Sequence, residues 1–175
     1  MNRFKHNRHS TRLKGYDDSK PGYYFVTICV NNRYHLFGKI IKKKMILNKF
    51  GKIAEREWLR TKKLRDNVRL DDFVIMPNHL HGIIELTDGR GVLQYAPAIR
   101  LKNKFQSPSN NLGAIIRGYK STVTTQINRI NNQPGDQVWQ RNYYDHIIQC
   151  PNELNRIRKY IRKNPINWNN DTLNE

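Results

Sequence analysis

Two histidines separated by one residue, His79 and His81, are the side chains of this sequence best suited to hold a metal ion. They open an apolar segment, HLHGIIEL at 79–86, with the composition of a β-strand. Because side chains alternate along a strand, the two imidazoles point to the same face and converge. Such a pair suits a divalent metal. The same spacing is also compatible with two hydrogen-bonded histidines that hold no ion.

A metal site needs further ligands, and six residues elsewhere in the chain are candidates: His35, Asp71, Asp72, Glu85, His146 and Asn164. Glu85 shares the face of the histidines but lies about 13 Å beyond His81 at the rise of a strand, which is too far to close the site.

Tyr160 and Asn164 are four residues apart in a segment of helical period, so they share one helical face. A phenol beside a metal-bound phosphate is a possible nucleophile. Alternatively, Tyr160 is a residue at the edge of an amphipathic helix and Asn164 is a C-cap before Pro165. With Asn164, the two histidines form a mixed nitrogen and oxygen site. Two imidazoles could hold zinc, but the amide oxygen and a phosphate-bearing substrate favour Mg²⁺ or Mn²⁺ acting as a Lewis acid.

The composition indicates a nucleic-acid partner. The chain has 175 residues, one domain in length, with 32 Lys and Arg against 14 Asp and Glu, a formal net charge of +18 and a pI of about 10.2. The longest apolar run, residues 23–30, is too short to span a bilayer, and the N-terminus lacks a secretory apolar region. Cys29 and Cys150 show no CxxC spacing and are interpreted as buried free thiols of a reducing cytoplasm. These features exclude a membrane protein, a collagen, a disulfide miniprotein and a wholly disordered chain.

Hydrophobic periodicity divides the chain into eight elements. The pattern predicts a helix that begins after Asn48 as N-cap and a tight antiparallel hairpin across Pro77 and Asn78. The predicted strands are 23–30, 70–76, 79–86 and 142–149, with a hairpin or edge strand at 38–47; the other predicted helices span 112–130 and 152–164. The order gives an α+β fold, a ferredoxin-like βαββαβ arrangement with an antiparallel sheet, an added hairpin and a C-terminal helix that carries Tyr160.

The predicted domain organisation has three parts. Residues 1–22 form a basic N-terminal arm, either ordered against DNA or a solvated tail. Residues 23–165 form the main domain, in which 87–110 is a long basic loop, and residues 166–175 form a C-terminal tail. The lysines at 42–44 either protect a sheet edge or contact phosphate, and edge protection is the favoured interpretation.

Six blocks resemble the REP-associated tyrosine transposases, within the single-tyrosine HUH transposases (U is a bulky apolar residue). They are RHSTRLKGYD at 8–17, YYFVTICVNNR at 23–33, FVIMPNHLHGIIEL at 73–86, LGAIIRGYKSTVT at 112–124, VWQRNYYDHII at 138–148 and LNRIRKYIRKNPINW at 154–168. On this resemblance the HUH motif falls on His79, Leu80 and His81, the catalytic tyrosine on Tyr160 and the third metal ligand on Asn164. Two other tyrosines, Tyr143 and Tyr144, are rivals that the resemblance places in the preceding strand block.

The resemblance implies an enzyme that cleaves and rejoins single-stranded DNA beside a small hairpin through a 5′-phosphotyrosine, with Mg²⁺ or Mn²⁺ and without ATP. It implies a monomer or homodimer in the bacterial cytoplasm, associated with the nucleoid and without a membrane partner. The alternatives are a non-catalytic basic DNA- or RNA-binding domain of the same fold and a nuclease that hydrolyses rather than transfers.

Ten basic side chains are expected to contact DNA: Arg8, Arg12, Lys14, Arg117, Lys120, Arg141, Arg156, Lys159, Arg162 and Lys163. Four aromatic residues are candidates for stacking on unpaired bases or for the core: Tyr16, Tyr34, Tyr95 and Phe105. Trp139 is interpreted as a core residue.

Overall fold

The computed structural model describes residues 20–88 and 111–174. The strands are β1 (Gly22–Cys29), β2 (Gly38–Ile41), β3 (Lys44–Leu47), β4 (Val68–Ile75), β5 (His79–Leu86) and β6 (Tyr144–Ile148). The helices are α1 (Lys49–Arg60), α2 (Leu112–Asn131) and α3 (Pro151–Lys163), with 3₁₀ turns at Asn31–Arg33, Thr61–Lys63 and Trp168–Asn170. Three predicted DNA contacts, Arg8, Arg12 and Lys14, lie outside the described residues, as do the aromatic candidates Tyr16, Tyr95 and Phe105.

Four strands form one antiparallel sheet in the order β4-β5-β1-β6, and β2 and β3 form a separate two-stranded hairpin. With the hairpin left aside, this is the strand order of the ferredoxin-like βαββαβ fold, so the predicted fold class is confirmed. The hairpin between β4 and β5 closes at Pro77 and Asn78, where the Met76 amide donates to the His79 carbonyl over 2.8 Å.

The two faces of the sheet pack against different helices because side chains alternate along each strand. On β1, Tyr24, Val26 and Ile28 belong to the main core with α1 and α2, whereas Phe25 belongs to a smaller apolar cluster with α3. On β5, the even-numbered residues likewise face α1 and α2. The odd-numbered residues, which include both histidines, therefore lie on the face that α3 covers.

Gly82 allows α1 to approach the sheet closely. A Cβ at this position would lie 2.5 Å from Cζ2 of Trp58, which is fully buried and centres the main core. The cap of α1 is the predicted one, because the Asn48 side chain accepts from the amides of Phe50 and Gly51.

Two further sequence-based expectations have different outcomes. Trp139 is buried in the main core, as predicted. Both cysteines are free thiols, but only Cys29 is partly buried; Cys150 is exposed because it lies at the start of α3, so its predicted burial was wrong. Among the described residues, no helix combines the length and apolarity needed to cross a bilayer.

Candidate active site

His79 and His81 begin β5 on the side of the sheet that faces α3, and both side chains are buried. Their ring centroids are 4.4 Å apart. Leu80 between them points to the opposite face and is buried in the main core. The strand therefore brings two imidazoles together as the alternation of the sequence predicts.

Asn78 fixes which nitrogen of His79 faces the site. The Asn78 amide group donates through Nδ2 to the carbonyls of Arg33 and Leu173, so its Oδ1 must face the ring. His79 Nδ1 then donates to that oxygen over 2.8 Å. In a neutral imidazole with a protonated Nδ1, Nε2 carries the lone pair. Nε2 of His79 is buried without a hydrogen-bond partner, which is the state of a nitrogen prepared to bind a cation.

His81 has the same arrangement with different partners. Its Nδ1 lies 2.8 Å from the hydroxyl oxygen of Thr27 on the neighbouring strand β1. Its Nε2 lies 3.1 Å from the phenol oxygen of Tyr160. With the Nδ1 proton donated to Thr27, Nε2 accepts from the phenol. The proposed nucleophile and a candidate metal ligand are thus in direct contact.

Two oxygen-bearing side chains complete the cluster. Asn164 ends α3, and its Nδ2 donates to Asp171 Oδ2 over 3.1 Å, which leaves its buried Oδ1 without a hydrogen bond. Asp171 Oδ2 lies 4.0 Å from His79 Nε2. His79, His81 and Asp171 can each offer one ligand atom, and these three atoms lie within 4.8 Å of one another. Two imidazole nitrogens, an amide oxygen and a carboxylate oxygen are a donor set that fits a divalent cation.

Burial keeps both imidazoles neutral. It lowers the pKa of His79 to about 4, against the opposing effects of the Asp171 carboxylate and the Asn164 side chain. The pKa of His81 lies well below its usual range because of burial and the neighbouring His79. Burial and Asp171 raise the pKa of Tyr160, and the Asn164 side chain opposes them. The tyrosine is therefore a phenol beside two neutral imidazoles.

Tyr160 is held in place by the way α3 docks on the sheet. Leu154, Ile157 and Ile161 of α3 pack in the smaller apolar cluster with Phe25 and Ile83. The Tyr160 ring meets the Phe25 ring edge-on at a centroid distance of 6.1 Å and is 46% exposed. It therefore has one side against the histidine cluster and one side accessible to a substrate.

A β-bulge supplies the polar part of this docking. The register of β4 against β5 shifts between Leu70 and Phe73, and Asp71 and Asp72 lie in the shifted segment. Both carboxylates reach the same helix, although consecutive residues of a regular strand would point to opposite faces. Arg158 Nε lies 3.0 Å from Asp71 Oδ1, and Arg162 Nε lies 2.7 Å from Asp72 Oδ2. These two ion pairs, hereafter the α3 clamp, flank Tyr160 in sequence.

The other candidate ligands have different partners. Asp71 and Asp72 belong to the α3 clamp. His146 Nε2 lies 2.8 Å from Glu153 Oε1 at the start of α3, and the His35 ring packs against Trp168 at 5.4 Å. Of the six sequence candidates, Asn164 is the one whose side chain adjoins both His79 and Tyr160.

A cleft of about 470 Å³ opens beside the cluster. Its walls are aromatic, polar and basic, and they include His81 and Tyr160 with Phe25, Thr27, Cys29, Arg33, Gln140, Asn142, Tyr143, Tyr144, Thr172 and Leu173. Tyr143 and Tyr144, the rival tyrosines of the sequence, share this cleft. Of the three, it is the Tyr160 oxygen that lies 3.1 Å from a candidate ligand nitrogen.

The described basic residues differ in their availability to DNA. Lys120 donates to the carbonyls of Gln140 and Asn142 over 2.7 and 2.9 Å, and burial lowers its pKa to about 8. Arg162 is held in the α3 clamp. Arg156 Nη2 lies 3.5 Å from Glu153 Oε1. Arg156 and Arg162 are exposed despite these partners, and the remaining four are exposed without a charged partner among the described residues: Arg117, Arg141, Lys159 and Lys163.

Asp171 is the functional candidate that sequence reasoning missed. It lies in the C-terminal segment, beyond Pro165, where no periodicity indicates an element. One signal could have identified it: Trp168 is a large apolar residue that needs a buried place, and it packs against the His79 ring at 6.0 Å. This contact brings the segment that carries Asp171 to the site. Thr27 and Asn78, which orient the imidazoles, were also missed.

Comparison with known proteins identifies one close relative. The chain is 42% identical over 170 residues to an uncharacterized protein of Haemophilus influenzae, covering 96% of this chain and 93% of that protein. No family model matches the chain.

Similar solved structures include the following two. The first is a REP-associated tyrosine transposase bound to a REP hairpin, with a TM-score of 0.61, 17% identity and coverage of 91% of this chain and 74% of that chain. The second is a Deinococcus radiodurans protein whose assignment as a transposase is provisional, with a TM-score of 0.48, 13% identity and coverage of 87% and 95%. The chain belongs to the family of the Haemophilus influenzae protein and shares the fold of the REP-associated tyrosine transposase.

Proposed function

We propose that this protein is a metal-dependent transposase that cleaves and rejoins single-stranded DNA beside hairpin, REP-like sequences through a 5′-phosphotyrosine intermediate. The observation that carries the proposal is the 3.1 Å distance between the Tyr160 phenol oxygen and His81 Nε2, beside a group of three candidate metal ligands, His79, His81 and Asp171, that Asn164 adjoins. The fold shared with a REP-associated tyrosine transposase supports the same class of substrate.

The proposed metal site consists of His79, His81, Asn164 and Asp171, whose donor atoms support it. Two of its atoms, His79 Nε2 and Asn164 Oδ1, are buried acceptors without a partner, a costly arrangement that a cation would relieve. Mg²⁺ or Mn²⁺ fits the two oxygen ligands and a phosphate-bearing substrate. When bound, such an ion supplies positive charge to the scissile phosphate.

The chain itself provides the nucleophile and its orientation. Tyr160 attacks phosphorus, a bond forms between its Oη and the phosphorus, and the bond from phosphorus to the 3′ oxygen breaks. The phenol proton passes to solvent, to which the ring is half open, and the departing 3′ oxygen takes a proton from solvent and leaves as a hydroxyl. Attack by another 3′-hydroxyl reverses these steps and rejoins a strand, so the covalent link conserves the phosphodiester without ATP.

The cleft and its surroundings suit an unpaired strand. Tyr143, Tyr144 and Phe25 offer ring surfaces to bases. The exposed basic residues around it, Arg117, Arg141, Lys159 and Lys163, are the proposed phosphate contacts. Tyr160 and all four metal ligands come from one chain, so a monomer holds a complete set. A DNA substrate places the protein in the bacterial cytoplasm with the nucleoid.

The test is the formation of a covalent adduct. The protein is mixed with labelled single-stranded DNA that carries palindromic hairpins of the source genome, with Mn²⁺, and the products are separated on a denaturing gel. Wild type is expected to give a protein-linked strand, Tyr160→Phe to give none while still binding DNA, and Tyr144→Phe, the matched change in the same cleft, to give the adduct.

Other outcomes would reject the proposal. Free 5′-phosphate ends without a protein-linked strand would indicate a hydrolytic nuclease. Binding with neither product would indicate a non-catalytic domain of the same fold. An adduct that persists in Tyr160→Phe would show that another residue is the nucleophile.

A further inference from the structure

The hairpin of residues 38–47, formed by β2 and β3, packs one face against the rest of the protein and exposes the other face to solvent. Met45 and Leu47 pack against the main core. The outward face consists of two cross-strand pairs, Lys39 with Ile46 and Ile41 with Lys44, and all four side chains are exposed. Lysine and isoleucine therefore alternate across this surface, which offers both charge and apolar contact.

The tip of this hairpin has a backbone that lysine does not favour. Lys42 and Lys43 have φ values of 49° and 63°, both in the left-handed region. Two-residue turns with positive φ at both positions strongly prefer Asn-Gly. Unfavourable backbone angles of this kind concentrate at functional sites. Edge protection, the interpretation favoured from the sequence, requires charge near the edge but does not require two lysines at these strained positions.

The charge of this region is uncompensated. Residues 19–54 contain no Asp or Glu. Lys39, Lys42, Lys43 and Lys44 are exposed, and their ammonium groups form no hydrogen bond or ion pair with any of residues 20–88 and 111–174. Four unpaired ammonium groups on one small surface attract a polyanion.

The base of the hairpin is joined to the candidate active site. The Phe37 amide donates to the Pro77 carbonyl over 3.0 Å, and Pro77 precedes His79 by two residues. Strands of four residues extend about 13 Å from this base. Arg33, shortly before the hairpin in the chain, lines the cleft that contains Tyr160. One DNA molecule can therefore contact both the hairpin of residues 38–47 and the cleft that contains Tyr160.

We infer that the hairpin of residues 38–47 binds the sugar-phosphate backbone of a DNA duplex, the paired stem next to the strand that enters the cleft. This inference rests on the proposed function for the identity of the cleft. The division between duplex and single strand follows from the aromatic residues: the hairpin has none on which an unpaired base could stack, whereas the cleft has four rings, those of Phe25, Tyr143, Tyr144 and Tyr160. The tip lysines contribute two phosphate contacts.

The double variant Lys42→Asn/Lys43→Gly separates the structural role of the tip from its binding role. Asn-Gly tolerates positive φ at both turn positions and so removes the backbone strain, and the midpoint of thermal unfolding is therefore expected to rise. Binding to a blunt hairpin duplex, measured by fluorescence anisotropy, is expected to weaken by about tenfold at physiological salt. The slope of log K against log salt should become shallower by about two, one for each lost phosphate contact. Binding to an unstructured single strand of the same length should change less.

Two further variants control the experiment. Lys62→Gln/Lys63→Gln removes the same charge from two exposed lysines at the other end of α1, and it should leave duplex affinity within about twofold. Lys42→Arg/Lys43→Arg keeps the charge and should retain binding. Unchanged duplex affinity in the Asn-Gly variant, an equal loss in the Lys62 and Lys63 variant, or a loss confined to the single strand would overturn the inference.

The binding assay does not depend on strand cleavage. If wild type binds duplex DNA through residues 38–47 but forms no adduct, the proposed function fails, whereas the inference that these residues bind a duplex stands. If wild type forms the adduct and the Asn-Gly variant binds duplex normally, the inference alone fails.

Discussion

Removing the two carboxylates of the α3 clamp, in the variant Asp71→Asn/Asp72→Asn, should slow adduct formation without weakening DNA binding. These carboxylates pair with Arg158 and Arg162, on either side of Tyr160. The apolar contact of α3 with the sheet is a small cluster, so the ion pairs add to it in fixing how the helix is placed. Asparagine keeps the size of each side chain and removes the charge that attracts the arginine.

The expected loss of stability follows from the exposure of the two ion pairs, and the expected loss of rate follows from the displacement of the phenol. The side chains of Asp71 and Arg158 are 18% and 31% exposed, and those of Asp72 and Arg162 are 24% and 69% exposed. Partly exposed pairs each contribute at most about 1 kcal/mol, so the variant should lose about 1–2 kcal/mol of unfolding free energy and stay folded. A displacement of the phenol by about 1 Å can cost about 100-fold in rate, so a decrease of about 10- to 100-fold is expected.

The assay is the single-turnover rate of adduct formation at saturating hairpin DNA and pH 7.5, together with the dissociation constant. Pairing with Arg158 lowers the pKa of Asp71 below its usual value, so its carboxylate is charged at this pH and its contribution to stability is lost only as the pH falls through the folded pKa. The variant adds two units of positive charge to the formal +18, so affinity for DNA should be equal or tighter.

A matched variant, Asp66→Asn/Asp136→Asn, makes the same charge change at two exposed acids outside α3 and its partners. It should keep the wild-type rate. The exchange of partners in Asp71→Arg/Arg158→Asp should recover part of the lost rate. An unchanged rate in the Asp71 and Asp72 variant, or an equal loss in the matched variant, would refute the positioning role of the clamp.

Three further predictions concern the metal cluster and the core. His81→Ala should reduce cleavage by about 100-fold or more and DNA binding by less than about threefold, because in the proposed function the ring is a metal ligand and not a DNA contact; a parallel loss of both in gel assays would make the residue structural. Asp171→Asn should weaken Mn²⁺ binding, measured by calorimetry on the DNA-free protein, by about 10- to 100-fold, and an unchanged affinity would remove Asp171 from the ligand set. Gly82→Ala should lower the unfolding free energy by about 1–3 kcal/mol in urea, because the new methyl group would meet the Trp58 ring at 2.5 Å; a neutral effect would mean that the ring moves freely.

Local patterns in the sequence predict most of the fold. The elements follow from periodicity, and the cap at Asn48 and the turn at Pro77 and Asn78 follow from residues with strong backbone preferences. The histidine pair and the pair of Tyr160 and Asn164 are also local patterns, one with the period of a strand and one with that of a helix. Spacing therefore places the two members of each pair on one face, whereas their roles as metal ligands and nucleophile are implied by the resemblance to the REP-associated tyrosine transposases.

The remaining features depend on long-range contacts that no local pattern encodes. Asp71 and Asp72 are two acidic residues in a strand, and only the bulge turns both towards α3. Arg162, a predicted DNA contact, pairs with Asp72, which lies 90 residues away in the sequence. Asp171 reaches His79 because Trp168 packs beside that ring. A turn residue, Asn78, also has a second role in orienting His79, which its position in a turn does not indicate.

The most direct test of the central claim is to identify the residue that is joined to DNA. The adduct formed with Mn²⁺ and hairpin-bearing single-stranded DNA is digested with nuclease and protease, and the modified peptide is sequenced by mass spectrometry. The account predicts a nucleotide linked through its 5′ phosphate to Tyr160. A nucleotide on Tyr143 or Tyr144, or a linkage through a 3′ phosphate, would contradict it.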